Sequence, residues 1–175
     1  FDMPTSGVLV KQWRSMKIPA LMAGFISPLS GTKAWKTFDG EIDGAINVMF
    51  EIGHIPVKSY PPSGKFYDAY KNRWKEELQS GHGVSGAYDS VYVLAQAIEK
   101  AGTLDPDKVT TAIAGTDMAG AVGRIRYDEG HQLAFGSDPK VTALAAGMQW
   151  RKGKRVVIFP ENVAEAKIEK PAWMK

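Results

Sequence analysis

The chain has 175 residues, 44% hydrophobic and 23% charged, which is enough for one or two small domains with buried cores. Its net charge is only +3 and its Lys and Arg residues are scattered, which argues against a nucleic-acid-binding protein. The sequence contains no cysteine, which excludes disulfides, zinc thiolate sites and cysteine nucleophiles. No apolar run approaches the roughly 20 residues that are needed to span a bilayer.

The first fifty residues alternate between strand and helix patterns. Residues 1–4 are typical of a strand end that enters a loop. Thr5 or Ser6 can cap a helix with Leu9, Trp13 and Met16 on its apolar side. Because the sequence opens on the end of a strand, without an initiator Met, we expect it to be part of a longer protein.

Two apolar runs follow this first helix. Residues 19–25 and 45–50 predict buried strands, and Ser30 can cap a short helix between them. Strands that alternate with helices indicate a parallel α/β sheet.

Three longer helices are predicted in the middle of the chain. Ser63 can cap a helix whose aromatic side carries Phe66, Tyr67, Tyr70 and Trp74, and we expect this side to be core. Asp105 and Pro106 are typical of a helix start, and that helix should end at Gly115.

The clearest helix signal lies between these two, over residues 84–101, and ends before Gly102. Its predicted buried face consists of apolar and small residues at helical spacing: Val84, Ala87, Tyr88, Val91, Leu94, Ala95, Ile98 and Ala101. Small residues open this helix, where free amides and the dipole favour an anion. Gly81, Gly83 and Gly86 form a G-x-G-x-x-G pattern, but the preceding residues predict a helix rather than a strand, so we reject a dinucleotide site.

The last third of the chain predicts strands. Residues 123–127 alternate like a strand with one solvated face. Residues 141–150 and 155–159 predict a hairpin that Pro160 ends, followed by a polar tail that wraps or docks loosely.

The sequence offers no constellation of catalytic or metal-binding residues. His54, His82 and His131 lie far apart, and we expect them on the surface or in loops. Glu41 and Asp43 could form an acid pair, but a solvated loop suits them better. We therefore predict no enzyme activity, no metal and no cofactor.

Taken in order, these segments resemble the solute-binding proteins of branched-chain amino acid ABC transporters, which have the type I periplasmic binding fold. The segments that carry the resemblance are SGVLVKQW (6–13), PALMAG (19–24), DGE (39–41) with DG (43–44), GAYDSVY (86–92) with AIEKAG (97–102), GRIRYDEG (123–130), and MQW (148–150) with Pro160. Their order and spacing, rather than one motif, are specific.

The resemblance implies an α/β fold with parallel three-layer sheets, here incomplete, and a C-terminal antiparallel hairpin. Residues 1–50 and 141–175 would belong to the second lobe, and residues 55–140 to the first. The hinges would lie near residues 51–54 and 141–147. The first half of the family's length would be absent from this sequence.

The resemblance also implies a ligand site between the lobes. It places Asp2, Met3 and Thr5, then Phe25 and Ser27, and finally Tyr88 at cleft positions, although Tyr88 could equally be a core residue. The family's amino-acid binders hold the ligand ammonium with an acid near the strand end at residues 24–27, where this chain has none, although Asp2 could substitute. We expect a small amino acid or an apolar or aromatic carboxylate as ligand, with a preference for carboxylates that lack an α-ammonium group.

By the same resemblance the protein would be a periplasmic component that works with a membrane permease and binds no nucleic acid. The isolated chain could pair with its missing N-terminal half or with a second copy. Two alternatives stay open: a type I-fold sensor or regulator domain, and an α/β enzyme with an unidentified active site.

Overall fold

The computed structural model describes residue 3 and residues 5–174. The helices are α1 (Ser6–Ser15), α2 (Ala34–Thr37), α3 (Pro61–Trp74), α4 (Val84–Ala101) and α5 (Pro106–Ala114). The strands are β1 (Ala23–Gly24), β2 (Ile46–Met49), β3 (Asp117–Gly120), β4 (Gly123–Arg126), β5 (Ala146–Arg151) and β6 (Lys154–Phe159). Short 3-10 helices cover Ser27–Leu29, Ile52–His54 and Ala172–Met174.

A four-stranded mixed sheet organises one side of the molecule. Its strand order is β1-β2-β5-β6, with β1 and β2 parallel and the other neighbours antiparallel. The predicted hairpin is confirmed: Lys152 and Gly153 both have positive φ, which suits the tight turn between β5 and β6. β3 and β4 form a separate antiparallel pair. The α/β fold is thus confirmed, and among the named strands of the described residues only β1 and β2 pair in parallel.

The largest core cluster joins α1, the four-stranded sheet and residues 52–60. Trp150 on β5 is fully buried there and donates its indole N–H to the Leu29 carbonyl at 2.9 Å. Two smaller clusters lie elsewhere: one packs α4 against β4, and the other surrounds Phe66 on α3.

Two helix ends follow the sequence signals, but the side-chain caps predicted for α1, α2 and α3 were wrong, because the cap residues Thr5, Lys33 and Tyr60 make no side-chain cap hydrogen bond. Gly102 ends α4 with φ 63°, and the Asp105 carboxylate accepts the Lys108 amide at the start of α5. α3 begins earlier than predicted, at Pro61, and Ser63 donates its hydroxyl to the Tyr60 carbonyl.

One strand prediction and two predictions of buried residues were wrong. Residues 19–25 were expected to form a strand, but only Ala23–Gly24 pair with β2. On α1, Val10 and Trp13 are buried whereas Leu9 and Met16 are exposed. Trp74, at the end of α3, is 60% exposed, because α3 ends there and Lys75 turns the chain with φ 57°.

The predicted buried face of α4 is also wrong. Its buried residues are Ser85, Asp89, Val93 and Ala97, on roughly the opposite side of the helix from Val91. Tyr88, Val91, Tyr92 and Leu94, called here the outer face of α4, are 43%, 67%, 46% and 47% exposed. The buried side can include Ser85 and Asp89 because both side chains are hydrogen-bonded there.

The C-terminal tail packs against α1, in agreement with the predicted wrapping or docking. Trp173 contacts Trp13 edge-on at 4.9 Å between ring centroids, and its indole N–H donates to the Asp43 carbonyl. Within the described part of the chain, no helix has both the length and the apolar character for a membrane span.

Candidate functional site

The carboxyl ends of the two parallel strands lie side by side. Gly24 on β1 pairs with Asn47 on β2, so Phe25 and Phe50 follow their strands at one edge of the sheet. Asn47 is fully buried, and its side chain accepts the Ile26 amide at 2.6 Å and donates to the Ser30 hydroxyl at 3.0 Å. In α/β folds, ligands bind outside this edge.

The N-terminus of α4 meets this same edge. The Phe50 amide donates to the Gly81 carbonyl at 2.9 Å, which ties the segment before α4 to the end of β2. Gly81 also packs closely, because a Cβ there would lie 2.8 Å from the Ser30 hydroxyl and 3.1 Å from the Phe25 ring. The strand ends and the helix start therefore form one rigid edge.

The anion that the start of α4 attracts is a side chain of the protein itself. The Glu51 carboxylate accepts hydrogen bonds from the amides of Gly83 and Gly86, both at 2.8 Å, and from the Ser85 hydroxyl at 2.5 Å. The helix dipole and the free amides stabilise this negative charge. A ligand carboxylate consequently finds these amides occupied.

The buried imidazole of His54 extends this contact. Its Nδ1 lies 2.8 Å from the Ser80 carbonyl, and its Nε2 accepts the Ser85 amide at 3.2 Å, so the neutral ring carries its proton on Nδ1. A proton on Nε2 would instead face the Glu51 carboxylate, at 3.4 Å. The prediction that His54 lies at the surface was wrong, because these contacts bury it completely.

The contacts of Glu51 keep it ionised. Burial of the carboxylate favours its neutral form, but hydrogen bonds outweigh burial: those from the Ser85 hydroxyl and the amides of Gly83 and Gly86, and one from His54 whenever its Nε2 carries a proton. Together they lower the pKa of Glu51 from 4.5 to about 2. The site thus has a fixed negative charge at neutral pH.

Two groups of aromatic rings lie near the start of α4, one at the sheet edge and the other between α3 and α4. Phe25 and Phe50 stack at 4.4 Å between centroids, and His82 contacts both rings. Tyr88 belongs to the second group, where it contacts Phe66 at 4.9 Å and Tyr92 at 5.0 Å. This second group borders a cavity of about 540 Å³ between α3, α4 and β3.

The predicted site residues are placed as follows. Phe25 and Ser27 follow β1, and both are half-buried. Met3 and Thr5 are exposed beside the start of α1, whereas Asp2 lies outside the described residues. Tyr88 is 43% exposed and contacts the second aromatic group, not Phe25. The ligand roles of all six residues stay predictions.

Sequence reasoning missed Glu51, Phe50 and His82 as members of this region, whereas the family resemblance had placed the helix start around Ser85 at the cleft. A signal was available for Glu51: it directly follows a predicted strand, and the glycine-rich helix start was expected to attract an anion. Glu41 and Asp43 do not form the acid pair considered above. Glu41 pairs with Arg14 at 2.6 Å, and Asp43 accepts the Lys152 amide at 2.8 Å. Across residue 3 and residues 5–174, no group of three or more His, Cys, Asp and Glu could hold a metal ion.

A fold with its ligand edge at parallel strand ends and a helix N-terminus is that of a ligand-binding α/β protein. Residues 4–153 match the model of a protein family described as "Periplasmic binding protein", and the chain belongs to that family.

Curated relatives include a Leu/Ile/Val-binding protein homolog 8 of Brucella abortus (strain 2308), 27% identical over 128 residues. A Leu/Ile/Val-binding protein homolog 7 of Brucella suis biovar 1 (strain 1330) is 29% identical over 134 residues. These matches cover 73% and 74% of this chain but only 30% and 32% of the relatives. The chain thus spans about a third of their length, and both are named as binding proteins rather than enzymes.

Solved structures share the fold. A leucine binding protein, LivK, of Thermotoga maritima MSB8 superposes with a TM-score of 0.65 at 20% identity, covering 88% of this chain and 41% of that one. A solute binding protein of R. palustris in complex with benzoate has a TM-score of 0.57 at 13% identity, covering 90% of this chain and 47% of that one. The type I periplasmic binding fold predicted from the sequence is confirmed.

Proposed function

We propose that this chain contributes part of the ligand site of an extracytoplasmic solute-binding protein that serves an ABC importer. The observation that supports it is the convergence of two parallel strand ends and the start of α4 at one edge of the sheet. That edge carries exposed aromatic surface, which suits binding of a small apolar ligand. The protein would work in the periplasm and deliver its ligand to a membrane permease.

The proposed ligand is a small amino acid or an apolar or aromatic carboxylate. Residues 23–27, after the start of β1, contain no acid to pair with a ligand ammonium. Glu51 is the nearby acid, but its oxygens already accept three hydrogen bonds and have little remaining capacity. Burying an unpaired ammonium is costly, so carboxylates without one are favoured.

We propose the two-lobe division as follows: residues 1–50 and 141–175 in the second lobe, 55–140 in the first, and hinges near 51–54 and 141–147. In support, the two smaller core clusters consist of residues between Phe66 and Leu133, together with Ala143 of the second hinge. The contacts between Glu51 and the start of α4 would then join a hinge to the first lobe.

The outer face of α4 supports a further partner. Tyr88, Val91, Tyr92 and Leu94 present apolar surface that nothing covers within the described residues. Helices of α/β proteins cover sheets with such a face. We propose that this face pairs with the remainder of a longer protein or with a second copy of the chain.

Calorimetric titration with leucine, its keto acid 4-methyl-2-oxopentanoate and benzoate tests the function. We expect saturable binding of at least one compound, and tighter binding of the keto acid than of leucine. The titration is made on this chain and on a protein that joins it to a first-lobe segment. Absence of binding in both would refute the proposed function. Tighter binding of leucine would refute the preference against the ammonium only.

A further inference from the structure

Three aromatic rings meet at the sheet edge, and we call Phe25, Phe50 and His82 the three-ring cluster. Phe25 and Phe50 are 18° from parallel, with centroids 4.4 Å apart. The His82 ring lies 5.3 Å from Phe25 and 6.1 Å from Phe50. Stacked rings hide their facing sides from each other and leave their edges and outer faces as apolar surface.

Hydrogen bonds anchor the main chain at or beside each residue of this cluster. The Phe50 amide is bonded to the Gly81 carbonyl, and the Ile26 amide, next to Phe25, is bonded to the Asn47 side chain. The amide of Gly83, next to His82, is bonded to Glu51. A surface that is fixed before the ligand arrives loses little conformational entropy on binding.

The three-ring cluster lies outside the hydrophobic core. Neither Phe25 nor Phe50 belongs to a core cluster, and Phe50 is 44% exposed. A stack of two phenylalanines that stays solvent-accessible at the ligand edge of an α/β sheet is a recognition surface rather than a packing element.

Charge fixes how a carboxylate ligand would meet this surface. The Glu51 carboxylate already accepts hydrogen bonds from the Gly83 and Gly86 amides. Glu51 directly follows Phe50 in the sequence, so its negative charge lies beside the three-ring cluster. A ligand carboxylate is therefore repelled from the start of α4. The ligand would turn its apolar end to the rings and its carboxylate away from Glu51.

We propose that Phe25, Phe50 and His82 contact the apolar end of the ligand and select a flat ring over a branched aliphatic group. This inference rests on the proposed function and deepens it, because it names the side of the ligand that is read and the residues that read it. Ring-on-ring stacking gives an aromatic acid a contact that leucine lacks.

Saturation-transfer NMR on the 175-residue chain tests the proposal, with benzoate and leucine as probes. Each probe is used at about 20 mM, because a site that contacts the ligand from one side only is expected to bind in the millimolar range. We expect transfer to the benzoate ring protons and shifts of the Gly81 and Gly83 amide signals. Phe50→Ala should reduce the transfer about fivefold, and Phe50→Leu, which keeps bulk but loses the ring, about threefold.

The matched control is Tyr92→Ala, which removes an exposed ring from the second aromatic group. It should leave the transfer within about twofold of the unchanged chain. Amide spectra of all variants confirm that each one is folded. Transfer that survives Phe50→Ala, transfer that Tyr92→Ala reduces equally, or no transfer to benzoate overturns the inference.

These outcomes are separate from those of the proposed function. If leucine or its keto acid binds while benzoate does not, the three-ring selection is wrong and the binding function stands. If all three compounds fail to bind in the calorimetric titration as well, the proposed function itself is wrong.

Discussion

The Ser85 hydroxyl donates to Glu51 Oε2 at 2.5 Å across 34 positions of the chain, and this bond joins the start of α4 to the segment after β2. The amides of Gly83 and Gly86 donate to the same carboxylate. One acidic side chain therefore satisfies three donors at a helix start, where unpaired amides would otherwise require water.

We expect Glu51→Gln to lower the free energy of unfolding by about 1–2 kcal/mol at neutral pH, a figure reduced for the partial solvent exposure of the carboxylate. The loss of charge weakens hydrogen bonds from the helix amides. Denaturant unfolding measures the effect. The control, Glu76→Gln, breaks an exposed ion pair with Lys33 and should change stability by less than about 0.5 kcal/mol.

The same carboxyl predicts an acid dependence. Its pKa is lowered from 4.5 to about 2 in the folded chain, so its contribution is complete above pH 4.5 and is lost as the pH falls towards 2. Between pH 4.5 and about 2, the free energy of unfolding should fall less steeply with decreasing pH in Glu51→Gln than in the unchanged chain. Equal slopes for the two proteins would contradict the assignment.

Asp89 makes a second buried contact that can be tested. Its carboxylate accepts the Ala121 amide at 2.8 Å and the Val122 amide at 2.9 Å, which ties α4 to the turn between β3 and β4. Burial raises the pKa of Asp89, although the two amides act in the opposite direction. Asp89→Ala leaves both amides unpaired and should cost about 3 kcal/mol by denaturant unfolding. The control is Asp68→Ala, at an exposed position of α3. A similar loss of unfolding free energy in this control would contradict a specific role for the buried Asp89 contacts.

These two carboxylates also explain what the sequence could and could not predict. Helix existence and ends follow local signals such as Gly102 and Asp105, and these were predicted correctly. The buried side of α4 depends on Ser85 and Asp89, whose partners are 32 to 34 positions away in the chain. Polar residues look exposed when their distant partners are unknown, so hydrophobic periodicity placed the buried face on the wrong side.

The candidate site could likewise be predicted only in part, because some of its residues meet only through contacts between distant parts of the chain. Phe25 was placed at the cleft by the family resemblance, whereas Phe50 and His82 join it only through the pairing of β1 with β2 and the Phe50–Gly81 bond. The wall of the site is therefore a product of tertiary structure.

Tyr88→Ala distinguishes a core role from a surface role for this tyrosine. Because the side chain is 43% exposed and contacts mainly Phe66 and Tyr92, we expect a loss of about 1 kcal/mol rather than the 3–5 kcal/mol typical of a buried aromatic. Thermal and denaturant unfolding measure it. A loss above about 3 kcal/mol would show that the ring supports the core despite its exposure. Weaker ligand binding at unchanged stability would support the cleft position predicted from the family resemblance.

The outer face of α4 predicts association of the isolated chain. Val91 is 67% exposed between Tyr88 and Leu94, so a partner surface that covers the face would bury it. We expect the chain to sediment above its monomer mass of 19.1 kDa at micromolar concentration, or to bind a first-lobe segment. Val91→Asp places a charge in this contact and should weaken association about tenfold or more.

The control for this last prediction is Ser90→Asp, which adds the same charge to an exposed position on another side of α4. It should weaken association less than Val91→Asp does, because Ser90 lies about 100° around the helix from Val91, beyond Leu94 at the margin of the outer face. If the unchanged chain is a well-folded monomer that binds ligand alone, its outer face needs no partner, and the division into two incomplete lobes is wrong. If Ser90→Asp disrupts association as strongly as Val91→Asp, the partner covers a different side of the helix.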